Sequence, residues 1–210
     1  MKLSAAALNC LSNFSFLKGA SHAEDLVAQA HKLGYAAIAI TDECSVSGMV
    51  RAHVAAREHG MRLICGAGFA VHDCPALEAL LLLAPDREAW GDLCELITRA
   101  RRRSAKGGYR LELADLSGVP GCLAIALPHT LHAAIDAAIA RIGALFPARA
   151  WLGAALAYGP DDRGKRDRLV ALGERHALPV TLCERILFAV REDKPLHDVL
   201  TAVRLKKPVA

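Results

Sequence analysis

The chain has 210 residues, 53% of them hydrophobic and only 5% aromatic, with a formal charge of +4 at pH 7. That length corresponds to about one domain able to bury roughly 70% of its unfolded surface, which excludes a disordered chain and makes stapling by disulfides unnecessary. Seven cysteines without a C-x-x-C pair exclude an even disulfide framework and point to the reduced thiols of a cytoplasmic protein. In the opening residues Asn9 breaks the apolar run before any small-x-small cleavage site, so no secretory leader is expected. The apolar run from Leu80 to Ala84 is far too short for a membrane span.

The first short apolar run predicts a strand, and Ser21-His22-Ala23-Glu24 has the form of a capping box opening a helix. Leu26, Val27, Ala30 and Leu33 recur at helical spacing, Gly34 supplies a left-handed stop, and Ala36 to Thr41 reads as a buried strand. Asp42 then falls at a strand's C-terminal end, where α/β folds place chemistry; taken alone, a helix N-cap is the favoured reading of it. A second step follows, with a helix over Val46 to His59, a stop at Gly60 and a strand from Arg62 to Cys65. Phe69 to His72 and Glu78 to Ala84 read as strands around the Pro75 turn, forming a hairpin inserted into the alternation.

Asp86 caps a helix over Arg87 to Arg103 with Trp90, Leu93, Leu96 and Ile97 inside. Leu111 to Val119 is irregular, Cys122 to Leu127 is a strand, and Leu131 to Leu145 is an Ala-rich helix. Strands at Trp151 to Ala157 and Pro179 to Cys183 alternate with helices at Arg166 to His176 and Pro195 to Leu205. Six or seven strands alternating with helices imply a parallel core, and both an open doubly wound sheet and a closed or distorted barrel satisfy the pattern. No linker divides residues 1–210, which are read as one domain, with surface loops over Ser104 to Ser117 and Gly159 to Gly164.

The charge excess is local. Arg99, Arg101, Arg102, Arg103, Lys106 and Arg110 place six cations in twelve residues, leaving 20 basic against 22 acidic residues elsewhere. Such a run can track phosphates in a nucleic acid, or it can close a helix C-terminus and continue into a solvated loop. With only Tyr109 interleaved, the second reading is favoured. His129-x-x-His132 has a zinc-ligand spacing but no carboxylate or cysteine beside it, so capping and surface placement are favoured. His72-Asp73-Cys74 reads as a turn, since adjacent strand residues face opposite ways. Gly66-Ala67-Gly68 precedes a strand and is therefore no phosphate loop. His22, His31, His53, His59, His176 and His197 are scattered over helices and expected to be solvated.

Longer stretches carry a resemblance. Leu11-Ser12-Asn13-Phe14-Ser15-Phe16-Leu17-Lys18-Gly19-Ala20-Ser21, the run Leu33 to Cys44, Leu93-Cys94-Glu95-Leu96-Ile97 and Arg101-Arg102-Arg103 resemble the N-terminal PHP (polymerase and histidinol phosphatase) domain of bacterial C-family DNA polymerases. The likeness is strongest to the error-prone, damage-inducible alpha-type subunits, and Pro195 to Arg204 resembles the segment that closes the domain before the polymerase palm. The resemblance implies a distorted seven-stranded β/α (TIM-like) barrel. Active members of the superfamily hold up to three metal ions with His, Asp, Glu and Cys side chains, a cluster suited to activating water against a phosphoester.

Matched to that pattern, this chain has Asn9 and Leu11 at the opening His-x-His and Lys18 at the next acidic position. Thr41-Asp42-Glu43 replaces Thr-Asp-His and keeps Asp42 alone, Gly68 replaces a glutamate, and Arg185 and Leu187 stand at the late Asp-x-His. Cys122 falls at a further ligand position. One carboxylate and one thiolate are too few for a metal cluster, and Lys18 and Arg185 put cations where metal ions would bind. The resemblance therefore implies a chain without cofactor or metal, not catalytic by itself, that serves as a structural and interaction module of a DNA polymerase acting in damage-tolerant synthesis. Its expected partners are the remaining polymerase domains or subunits and DNA, the latter through Arg99, Arg101, Arg102, Arg103 and Lys106, with no membrane. The alternative is a metal-dependent phosphoesterase or 3'-5' proofreading exonuclease of the same superfamily; a free-standing histidinol phosphatase is weaker, for want of the same ligands.

Overall fold

The computed structural model describes residues 5–129, 133–156 and 159–209. The chain divides into two compact units, one made of residues 1–66 and 185–210 and the other of residues 67–184.

In the first unit, β1 (Ala6–Cys10), α1 (Ala23–Lys32), β2 (Ala37–Ile40), α2 (Met49–His59) and the start of β3 (Arg62–Phe69) give the expected alternation. The strand order is β3, β2, β1 and then β8 (Arg185–Ile186), every pair parallel. Leu26, Val27 and Ala30 of α1 are buried, as their spacing requires, whereas Leu33 caps the helix and is mostly exposed. Gly34 at φ +79° and Gly60 at φ +63° supply the left-handed stops, a conformation that costs other residues a Cβ clash. The Ser21 capping box does not form. His22 is the N-cap of α1, and the Ser21 hydroxyl donates to Asp193 Oδ2 at 2.7 Å while accepting the Ala189 N–H at 2.7 Å. Together with the Ala20 N–H bond to the Leu187 carbonyl (2.8 Å), this ties the segment before α6 (Lys194–Leu205) to the loop before α1.

The second unit contains β4 (Leu77–Ala84), α3 (Arg87–Arg102), β5 (Leu123–Pro128), α4 (Ala133–Leu145), β6 (Ala150–Ala154), α5 (Asp162–His176) and β7 (Val180–Leu182). Its strands run β4-β5-β6-β7, and β4 is antiparallel to β5. The parallel core expected from alternation is thus interrupted here. The strand expected over Phe69 to His72 instead ends at Phe69, and the residues after it enter a loop with a turn from Val71 to Cys74; β3 and β4, which this loop around Pro75 joins, are hydrogen-bonded neighbours in the sheet. That turn is the expected one for His72-Asp73-Cys74, and Asp73 Oδ1 accepts the Leu113 N–H at 2.9 Å. Asp86 caps α3 as expected, accepting the Ala89 N–H at 2.9 Å, and Leu93, Leu96, Ala89 and Ala100 form its buried stripe, with Trp90 and Ile97 only half-buried. Two histidines depart from the solvated reading. His176 is half-buried, its Nε2 2.9 Å from Asp136 Oδ1, and in the first unit His197 lies half-buried with its ring 5.6 Å from that of Phe188.

Candidate functional site

The loop after β1 returns toward the end of β2 because its hydroxyls and amide groups are satisfied there. Asp42 follows β2 directly and is fully buried. Its Oδ1 accepts the Ser12 N–H at 2.7 Å and the Ser15 hydroxyl at 2.6 Å, and its Oδ2 accepts the Ser12 hydroxyl at 2.7 Å. The serine oxygens are used again, Ser12 Oγ accepting the Phe14 N–H at 3.2 Å and Ser15 Oγ the Glu43 N–H at 2.9 Å. Asp42 is therefore not a helix N-cap: α2 begins seven residues later behind Gly48, whose side chain offers no acceptor. A Cβ on Gly48 would sit 3.0 Å from both Asp42 Oδ2 and Ser12 Oγ, and one on Gly19 would lie 2.1 Å from the Ser12 carbonyl oxygen. Glycine at these two positions is what lets the backbone close around the carboxylate.

Burial raises the Asp42 carboxyl above its ordinary value of 3.8, against the opposing pull of the Ser12 and Ser15 hydrogen bonds. Among the described residues its hydrogen bonds come from neutral donors. Beside it, Lys18 and Glu43 form an ion pair across the loop. Asn9 is buried in β1, its Oδ1 accepting the Thr41 hydroxyl at 3.4 Å, and it stands opposite Arg185 in the β1–β8 register. Leu11 donates its N–H to the Ile186 carbonyl at 2.9 Å, and Leu187 contributes its carbonyl to the tether at Ala20. Asn9, Leu11, Lys18, Asp42, Glu43, Arg185 and Leu187 are thus all in the first unit, around the C-terminal ends of β1 and β2.

Gly68 and Cys122 fall in the second unit, Gly68 buried near the end of β3. Cys122 precedes β5, at that strand's N-terminal end, where its Sγ faces the Ala89 carbonyl at 3.7 Å and burial pushes its thiol up to about 12. A thiol so hard to ionise is a poor metal ligand. Among the described residues, no group of three or more His, Cys, Asp or Glu side chains is placed to hold a metal ion. The donor set does not fit a metal cluster: Asp42 has its oxygens bonded to protein donors, the Glu43 carboxylate is paired with Lys18, the Cys122 thiol is hard to ionise, and the other matched positions bring an amide, alkyl groups, a glycine and cations. His129 is exposed, and its partner in the zinc-like spacing, His132, lies outside the described residues.

The basic run is largely occupied by its own surroundings. Arg103 reaches both Asp115 oxygens at 2.6 and 2.7 Å, Arg110 Nε bonds Glu112 at 2.9 Å, and Arg99 lies 3.6 Å from Glu95. Arg101 rests over the Tyr109 ring, 5.4 Å from its centroid, and touches the Gly107 and Gly108 carbonyls. Arg102 and Lys106 are exposed. Sequence reading saw the cluster but missed its acids, because Asp115 and Glu112 lie beyond the helix and are brought back by the loop. It also missed Ser12 and Ser15 as the partners of Asp42, although the Ser-x-x-Ser spacing of a tight loop was visible.

Residues 8–147 match the family described as the PHP domain. The error-prone DNA polymerase of Methylococcus capsulatus is 47% identical over 207 residues, which is 98% of this chain and 19% of that protein. That of Ralstonia nicotianae is 44% identical over 222 residues, 98% of this chain and 20% of the relative. The chain spans about a fifth of the length of these relatives. Among solved structures, a Bifidobacterium adolescentis protein described as a metal-dependent phosphoesterase superposes with a TM-score of 0.64 at 18% identity, covering 86% of this chain and 87% of the other. An amidohydrolase from Chromobacterium violaceum, with bound sulfate and no metal, gives 0.66 at 15% identity over 90% and 89%. At such identities the likeness shows the fold alone, an α/β fold of the distorted TIM-like barrel class. No helix among the described residues is long and apolar enough to cross a membrane.

Proposed function

Because the chain belongs to the PHP domain family, we propose that it is a degenerate, metal-free PHP domain of an error-prone DNA polymerase alpha-type subunit, a cytoplasmic structural and interaction module in damage-tolerant DNA synthesis. The observation that carries this reading is Asp42. Both Asp42 oxygens already accept from Ser12 or Ser15, which uses three of the carboxylate's roughly four lone-pair positions, and the charges beside it are the Lys18–Glu43 pair and the further cation Arg185. The same residues that would otherwise assemble a phosphoester site instead fold the loop over residues 12–19 onto the sheet edge. Its partners on this reading are the remaining polymerase domains, with DNA reached through Arg102 and Lys106.

The rival reading draws on the metal-dependent phosphoesterase among the solved structures and requires the same positions to gather ions. Elemental analysis of the purified chain, combined with hydrolysis of a generic phosphomonoester and of a 3'-recessed DNA duplex, separates the two. The proposal expects metal well below one equivalent and no hydrolysis above buffer. Stoichiometric zinc, manganese or iron accompanied by hydrolysis would overturn it.

A further inference from the structure

In the first unit α1 and α2 pack against each other, and both carry the chain back between neighbouring strands of the parallel run β1, β2, β3. The two helices therefore run in the same direction. Their C-terminal ends lie side by side at the sheet edge opposite Asp42, each followed by its left-handed glycine, Gly34 or Gly60. A histidine occupies the last turn of each helix. His31 and His59 are both exposed, and their rings stack with centroids 5.3 Å apart and planes inclined by 27°.

We propose that His31 and His59 together bind a late first-row divalent metal ion, copper(II) most tightly, each imidazole giving one ring nitrogen and water filling the other positions. Neutral imidazole is the side chain best suited to such ions, and copper(II) stands at the top of their affinity order. Metal–nitrogen bonds of about 2.0–2.1 Å let one ion join two nitrogens up to about 4 Å apart. The stacked rings reach that span by turning about their own side-chain bonds in solvent, while the packed helices hold the two backbones in place. No third His, Cys, Asp or Glu joins them among the described residues, so water completes the coordination. Two helix C-termini each present a partial negative charge, which favours a cation beside them and disfavours an anion. Lys32 and Arg57 share these last turns and oppose any cation. The site therefore selects ions that bond strongly to nitrogen and rejects magnesium and calcium, which take oxygen ligands. It goes beyond the polymerase-domain reading and involves no hydrolysis, so either can fail without the other.

The test is calorimetric titration of the chain, first dialysed against a chelator, with copper(II), zinc or magnesium chloride at neutral pH. One equivalent of copper(II) should bind, zinc more weakly and magnesium not at all. Two ligands on one scaffold bind about a hundredfold more tightly than either alone. His31→Gln, His59→Gln and the double variant should therefore each weaken copper(II) binding by about a hundredfold, to the same level. His53→Gln, an exposed histidine elsewhere on α2, should leave it unchanged. Without metal, all four variants should keep the wild-type helical circular dichroism and melting temperature, as exposed side chains allow. Losses from the two single changes that add in the double variant, or an equal loss from His53→Gln, would show separate single-imidazole binding and overturn the site. Copper(II) binding unchanged in the double variant, or absent from the wild type, would overturn it as well.

Discussion

Asp42 in the first unit and Asp115 in the second are held by hydrogen bonds of nearly the same length, yet their carboxyls move in opposite directions. Asp42 has three donors, all neutral: one backbone N–H and two serine hydroxyls. Asp115 has the Arg103 guanidinium and the Glu112 N–H. Burial pushes both upward. At Asp42 that push prevails over its hydrogen bonds, whereas at Asp115 the bonds from Arg103 and from the Glu112 N–H, with the Arg103 charge, bring the carboxyl below the ordinary value. Hydrogen-bond number alone does not decide the charge state of a carboxyl. What decides it is whether the donors carry charge and how completely water is excluded.

The largest way to break this comparison is Asp42→Ala. It leaves the Ser12 and Ser15 hydroxyls and the Ser12 N–H without an acceptor in a buried place, and should lower unfolding free energy by about 3 kcal/mol. Urea denaturation measures it; a change within experimental error would mean that the network does not hold the loop. A second test sharpens the comparison through pH. Because the folded carboxyl of Asp42 titrates above 3.8, the native state binds its proton more tightly than the unfolded chain. Its contribution to stability is thus greatest below 3.8 and declines as pH rises through the folded value. Asp42→Asn should remove that decline, so wild type loses stability relative to the variant on going from pH 3.5 toward neutrality, with pH 3.5 about the lower limit of the titration. A difference independent of pH would contradict the assignment.

Asp115 should show the reverse sign and a smaller effect. Its lowered folded value makes it stabilising above 3.8, with the contribution lost as pH falls through that folded value. Asp115→Asn should cost about 1 kcal/mol at neutral pH, consistent with a partly exposed pair that also caps a short helical turn. Thermal denaturation at neutral pH and again at low pH measures it, and equal losses at both would show that charge plays no part.

Local chemistry was legible in the sequence where it acts locally. The Asp86 cap, the Gly34 and Gly60 stops and the buried stripe of α1 each depend on residues within a turn or two, so their spacing carries the information. Distance erased it elsewhere. Ser21 has the composition of a capping box, but its hydroxyl is engaged by Asp193, 172 residues away in the chain, and no window around Ser21 contains that competitor. Strand direction was also invisible, because the apolar run of β4 reads alike whether β5 lies parallel or antiparallel to it. At the site, Asp42 was recognisable by its place after β2. What it does there was not, since Ser12 and Ser15 reach it only once β1 and β2 are paired.

The closure of Gly19 and Gly48 around the serine-bound carboxylate has a consequence for mutability. At either position even a single methyl group meets backbone or network atoms, so the tolerance of this loop to substitution is set by room rather than by polarity.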